Sequence, residues 1–211
     1  MKKLLLFALL CAMFMGVTSC NSCKKNETNV EAKVDTTLVV ENIISTDREA
    51  MTLQYDSAYR WYETCITVKD FFDSDSVGEP VVMGVSNIFQ YIVEKDSTCA
   101  DVQVVLYTHV KDTCVVEARP GFWVGDMILN NEEIKLTFID AYNKMMQSNC
   151  IKPHSRQCVL RKELGPTLGV NPQYIFGNVQ RQVYVDAVTG AVTDKNPVFP
   201  KTFKMPLGEW P

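Results

Sequence analysis

The chain has 211 residues, 46% of them hydrophobic and 22% charged, with a formal net charge of −4. This is the composition of an ordinary globular protein, large enough for one sizeable domain or two small ones. No Lys/Arg tract carries interleaved aromatics, which argues against nucleic acid as a partner. Beyond the first twenty residues no long apolar run follows, so no second segment is expected to cross a membrane.

The N-terminus reads as a secretory signal. Lys2 and Lys3 lead into an apolar run, too short to span a bilayer, that ends in small residues and a cysteine. Val17-Thr18-Ser19-Cys20 resembles the bacterial lipobox, which implies cleavage before Cys20 and acylation of that residue. Cys23 lacks an aliphatic residue at the matching offset. Each buried methylene of an acyl chain contributes about 0.8 kcal/mol, so several chains hold a protein firmly on a membrane. Residues 1–19 are therefore expected to be a lipoprotein signal peptide. By the same resemblance Asn21 implies the outer membrane, so the expected location is the cell envelope, on a periplasmic or surface face. Residues 20–44 read as a tether, with no stable apolar stripe; Leu38-Val39-Val40 is its one apolar spot and a candidate first strand. A flexible chain of that length has an end-to-end distance of roughly 25 Å.

Residues 45–130 are expected to form a β-rich region that opens with a helix. Thr46 and Glu49 have capping-box spacing, and Met51, Tyr55, Ala58 and Tyr62 recur at helical spacing, so a helix is predicted from Asp47. Tyr59 to Phe72 reads equally as a strand, because Cys65-Ile66-Thr67-Val68 is rich in β-branched residues. Asp73 to Pro80 is a turn by composition. Strands are predicted over Val81–Val93, Val102–Val110 and Cys114–Ala118, joined by short polar turns as in an antiparallel meander. Phe122–Asp126 can resume the pairing after the Arg119-Pro120-Gly121 turn.

Residues 131–211 follow a similar plan. Thr137 and Asp140 are placed to cap a helix whose apolar face is Phe138, Ile139, Tyr142, Met145 and Met146. Strands are predicted over Gln157–Leu164, Pro172–Phe176 and Arg181–Asp186, with breaks at Gly165–Gly169 and Gly177-Asn178. Asp186–Gly190 is a tight turn in which Gly190 suits a positive φ. The Pro-rich tail from Pro197 is expected to lie extended over the surface.

Six cysteines are left after Cys11 and Cys20, and an oxidising compartment favours disulfides. Cys150 and Cys158 flank Pro153 and are the candidate bridge. Cys99 and Cys114 are expected at opposite ends of one strand, too far apart to bond. The pairing of Cys23, Cys65, Cys99 and Cys114 stays open. Cys150, His154 and Cys158 are spaced by four, as metal ligands on a helix are, but Pro153 interrupts that helix and no fourth ligand is evident. No metal or cofactor is assigned. His109, inside a strand, is read as structural or half-exposed.

The run Arg181-Gln-Val-Tyr-Val-Asp-Ala-Val-Thr-Gly-Ala-Val192 resembles the closing hairpin of PepSY and PepSY-like domains, and Ile134–Ala141 resembles the start of their helix. The resemblance covers roughly Glu132 to Asp194. It implies an α+β fold, a helix packed on a curved antiparallel sheet, and the helix-then-sheet order of the first half raises the expectation of two such units in tandem. It also implies that Tyr184, Asp186 and Gly190 are structural and that the role is to bind proteins or restrain peptidases. The sequence holds no Gly-x-Ser-x-Gly and no His-Glu-x-x-His, so no catalytic residue is assigned and the chain is not read as an enzyme. The expectation is a lipid-anchored protein-binding module with an unidentified protein partner. A structural or assembly lipoprotein of the envelope and a small-ligand carrier are the alternatives.

Overall fold

A computed structural model describes residues 38–55, 58–74, 78–96, 99–124, 126–163 and 171–194. The expected signal peptide, Cys20, Cys23, most of the tether and the aromatic tail lie outside the described residues. The described residues all fall within one unit, Thr36–Pro211.

Helix α1 spans Val40–Tyr55, and strands β1 (Tyr59–Val68), β2 (Val82–Asp96), β3 (Cys99–Val110) and β4 (Thr113–Pro120) follow as a meander. After the two-residue strand β5 (Asp126–Met127) come helix α2 (Phe138–Gln147) and strands β6 (Gln157–Glu163), β7 (Gln173–Asn178), β8 (Arg181–Asp186) and β9 (Val192–Asp194). Every strand pairing is antiparallel. The spatial order is β4-β3-β2-β1-β6-β7-β8-β9, with β5 paired to β6 off that path.

This corrects the expected α+β architecture of a helix on a curved sheet, single or in tandem. Among the described residues the molecule is one large antiparallel sheet of nine strands with two short helices. The cause is the β1–β6 ladder. Thr64 faces Leu160 and Ile66 faces Cys158, so the first strand of each meander hydrogen-bonds to the other and the sheet runs through without a break. The β-branched run read in Cys65–Val68 sits on this central strand, where pairing on both sides rewards it.

The first helix also starts earlier than predicted, at Val40 rather than Asp47, and takes in the last five residues of the expected tether. Val40, Ile44, Asp47 and Met51 form its buried face. Burial of that stripe against the sheet outweighs the local capping signal at Thr46, which lies mid-helix. The helix ends at Tyr55, whose ring stacks on Tyr91 at 3.8 Å. Tyr62, assigned to the helix by spacing, belongs to β1.

Helix α2 starts where expected. Thr137 Oγ1 accepts from the Asp140 amide while Asp140 accepts from the Thr137 amide, a reciprocal cap. The Phe138 amide, one of the orphan donors of that first turn, is taken by Glu41 Oε1 on α1 at 2.6 Å. Phe138, Ala141, Tyr142 and Met145 join Leu160, Tyr174, Phe176, Val183 and Val185 in the core, which also holds Ile66, Val85, Phe89 and Val105. Tyr174 is buried and donates its hydroxyl to Leu136 O at 3.0 Å, so the one polar atom of this ring is satisfied.

Candidate functional site

Side chains alternate across the sheet, so β4 presents two different surfaces. Cys114, Val116 and Ala118 share the helix side with His109, Tyr107 and Val105 of β3. Val115, Glu117 and Arg119 share the other side with Thr108, Leu106 and Val104. Among the described residues no strand lies beyond β4 in the sheet order. All eight of its residues are exposed, and Val115 and Val116 are 50% and 52% accessible on opposite faces. The charges on this edge are confined to Glu117 and Arg119, which pair with each other. Thr113–Val116 carries none. On the Val115 side, a groove of about 270 Å³ is lined by Ile88, Val104, Leu106, Pro120, Phe122 and Trp123 among others. Phe122 and Val124 project from the adjoining loop, 71% and 84% accessible. The loop is fixed there by the Trp123 amide, which donates to Gln90 Oε1 at 2.7 Å, and by the indole N–H, which donates to Asp126 Oδ2 at 3.0 Å.

On the helix side a chain of polar groups runs through the core towards β4. Trp61 Nε1 donates to Thr64 Oγ1 at 3.2 Å, and the Thr64 hydroxyl donates to Asn87 Oδ1. Asn87 Nδ2 donates to Asp47 Oδ2 at 2.7 Å. Both Asp47 oxygens then face His109 Nε2, at 2.8 and 3.0 Å, and Cys114 Sγ lies 3.6 Å from the same nitrogen. Thr64 and Asn87 are fully buried and Asp47 nearly so, while Cys114 is exposed. Burial pushes the Asp47 carboxyl above its usual range, against the hydrogen bonds from Asn87 and His109 that pull it down. Burial, and then the Asp47 charge, raise the Cys114 thiol.

A cysteine, a histidine and an aspartate in contact invite a nucleophile–base–orienter reading. The geometry does not form one. That arrangement needs one ring nitrogen for the thiol and the other for the carboxylate. Here Nε2 faces both, so a single N–H cannot donate to Asp47 while the same atom accepts from Cys114.

A second polar cluster lies on the opposite face, around Glu63, Asp126 and Arg161. Cys65 Sγ donates to Glu63 Oε1 at 3.0 Å, and Arg161 Nε lies 3.7 Å from Asp126 Oδ1. Burial first, and Asp126 after it, raise Glu63; burial first, then Glu63, raise the Cys65 thiol. Arg161 also pairs with Glu163 at 2.8 Å. The guanidinium compensates the acids, which marks this as a structural ion cluster.

The residues singled out in the sequence fall elsewhere. Cys150 and Cys158 are both free. Cys158 points into the core from β6, opposite Ile66 and Phe176, whereas Cys150 lies in the link after α2, so the candidate bridge is not formed. His154 stands apart from both, its Nδ1 2.9 Å from Asp73 Oδ2 and its ring stacked on Phe71 at 4.2 Å. Cys99 opens β3, paired with Asp96 of β2, whereas Cys114 lies on β4, paired with His109 near the other end of β3. Tyr184 is buried on β8 with its hydroxyl donating to Gln182. Asp186 Oδ1 accepts from the amides of Val188 and Thr189, both at 2.8 Å, and the Gly190 amide closes the turn on Asp186 O. Gly190 has φ +75°.

Comparison with protein families, with curated proteins and with solved structures finds no match. The Asp47–His109–Cys114 grouping was missed because its members stand 62 and 5 residues apart on a helix and two strands. No short motif carries such a set. The one available signal was Asp47 on the apolar stripe Val40, Ile44, Met51, a buried acid that needs a partner.

Proposed function

We propose that the chain is an exported lipoprotein, held on a membrane through acyl chains at Cys20, whose sheet binds an extended segment of another protein along β4. The observation that carries the binding reading is the edge itself. An exposed strand eight residues long that no other described strand pairs on its outer side offers a row of backbone donors and acceptors, and most proteins blunt such edges because another strand will add to them. Strand addition draws affinity from main-chain hydrogen bonds and specificity from pockets for alternate side chains. The apolar groove beside Val115 supplies such a pocket on one face, and Val116 and Ala118 supply apolar contact on the other. A secreted peptidase restrained by this contact is the sharpest form of the proposal, and it rests on the PepSY resemblance.

Two experiments test it. A photo-crosslinking side chain placed at Val115 in the full chain should yield an adduct with one envelope protein. The same group at Val179, exposed on the distant β7–β8 turn, should not. Equal adducts from both positions would sink the edge reading. For the anchor, Cys20→Ala should release the protein from the membrane fraction, and unchanged retention would count against acylation there.

A further inference from the structure

We propose that Asp47, His109 and Cys114 form a binding site for a borderline divalent cation of the zinc type. Three different elements, α1, β3 and β4, bring a carboxylate, an imidazole and a thiol together so that their ligand atoms all lie within 4.8 Å of one another. These are the three side-chain types that zinc takes, at about 2.0–2.2 Å for oxygen, 2.0–2.1 Å for nitrogen and 2.3 Å for sulfur. A tetrahedral ion with those bond lengths separates its sulfur and nitrogen ligands by about 3.6 Å. Cys114 Sγ and His109 Nε2 stand 3.6 Å apart. The carboxylate is 2.8–3.0 Å from the same nitrogen, a few tenths of an ångström closer than about 3.3 Å, the tetrahedral value. The thiol and the carboxylate lie within 4.8 Å of each other, against about 3.6 Å around such an ion, so small shifts of the imidazole and of the exposed Cys114 side chain close the site on it.

The surroundings hold the ligands in place. Asn87 fixes Asp47 Oδ2 from behind, and Thr64 and Trp61 fix Asn87, so the carboxylate has one orientation. Such outer partners are what orient metal-binding carboxylates and imidazoles. A cation also resolves the conflict at Nε2: the atom becomes a lone-pair donor to the metal and no longer has to serve oxygen and sulfur at once. Three protein ligands with Cys114 on the exposed side leave a fourth position open to water. Sulfur and nitrogen donors favour zinc-type ions over calcium or magnesium, which take oxygen.

The test uses the full chain in detergent with a thiol-free reductant. Cobalt(II) reports on the ligands: one equivalent should produce a sulfur-to-cobalt charge-transfer band and the intense visible bands of a tetrahedral ion, and zinc should displace both. Cys114→Ser, at an exposed edge position where the fold tolerates it, should abolish the charge-transfer band and weaken zinc binding about tenfold or more. Cys150→Ser should leave both unchanged. Zinc should raise the melting temperature of the parent protein and not that of His109→Gln. Absence of the band from the parent protein, its persistence in Cys114→Ser, or equal zinc affinity in parent and Cys114→Ser would each overturn the assignment.

Discussion

Removal of the Asn87 side chain probes the buried polar chain most directly. Asn87 and Thr64 are fully buried and Asp47 is 2% accessible, so water cannot replace a lost partner. In Asn87→Ala, Thr64 loses the acceptor of its hydroxyl and Asp47 loses its shortest donor, at 2.7 Å. A buried polar group left without its partner costs about 1–3 kcal/mol, and two are affected. The hole left by the amide adds roughly 1 kcal/mol. The sum is about 3–7 kcal/mol, a large part of the roughly 5–15 kcal/mol that holds a domain together. At about 2–4 °C per kcal/mol for a domain of this size, it lowers the melting temperature by roughly 6–28 °C. Urea unfolding followed by tryptophan fluorescence and by circular dichroism measures it, and Trp61, bonded to Thr64, reports from the chain itself. Asn87→Leu restores volume without restoring hydrogen bonds, so it should stay within about 1–2 kcal/mol of the alanine variant. A loss below about 1 kcal/mol in Asn87→Ala, or full recovery in Asn87→Leu, would refute the claim that polar satisfaction rather than packing holds this part of the core.

Three other outcomes follow from the same structure. Gly177→Ala should destabilise more than Gly190→Ala: both glycines have positive φ, but a Cβ at 177 would lie 2.1 Å from the backbone oxygen of Arg181, whereas at 190 it meets only the flexible end of Lys144. Equal melting temperatures for the two variants would contradict this. Burial raises Asp186, but the Thr189 amide, Asn171 and the Val188 amide outweigh it and hold the carboxyl below its ordinary 3.8. A depressed folded-state value stabilises above the unfolded one and is lost as pH falls through the folded one, so the stability gap between the parent and Asp186→Asn should be constant above about pH 5 and shrink below 3.8; urea midpoints across that range show it, and a gap that widens in acid would be wrong for this sign. In hydrogen exchange, the amides of Thr113–Ala118 on β4 should exchange faster than those of Tyr174–Phe176 on β7, and equal protection would contradict the assignment of β4 as the loose edge.

Local chemistry was legible in the sequence where neighbours in the chain decide the outcome. The Thr137–Asp140 cap, the Lys111-Asp112 turn between β3 and β4, and the Asp186–Gly190 turn all depend on contacts a few residues long. Strands β2, β3 and β4 of the first meander were visible for the same reason, since short turns leave antiparallel pairing as the available arrangement. What the sequence did not disclose depends on distant partners. The β1–β6 ladder joins residues about a hundred positions apart, and nothing in Cys65–Val68 or Gln157–Glu163 names the other as its mate. The start of α1 at Val40 is set by the sheet surface it covers, not by the capping signal at Thr46. The polar chain from Trp61 to Cys114 draws on α1, β1, β2, β3 and β4, so it exists only once the register of three ladders is set.

The distribution of burial across the sheet explains why binding chemistry would sit at β4 and not elsewhere. Inward residues of β6, β7 and β8 (Cys158, Leu160, Phe176, Val183, Val185) are wholly inaccessible beneath α2 and the core, and no ligand reaches them. Towards the other end, α1 covers β1 and β2 but leaves β4 exposed along its length. Polar groups that are costly inside a core become useful where the core thins out, because one end of the chain of hydrogen bonds is held rigidly and the other meets solvent. Trp61, Thr64 and Asn87 form the held end, and His109 and Cys114 the open one. An edge strand with an apolar groove on one face and an oriented carboxylate, imidazole and thiol on the other is therefore the part of the molecule able to change its partners without disturbing the packing that keeps it folded.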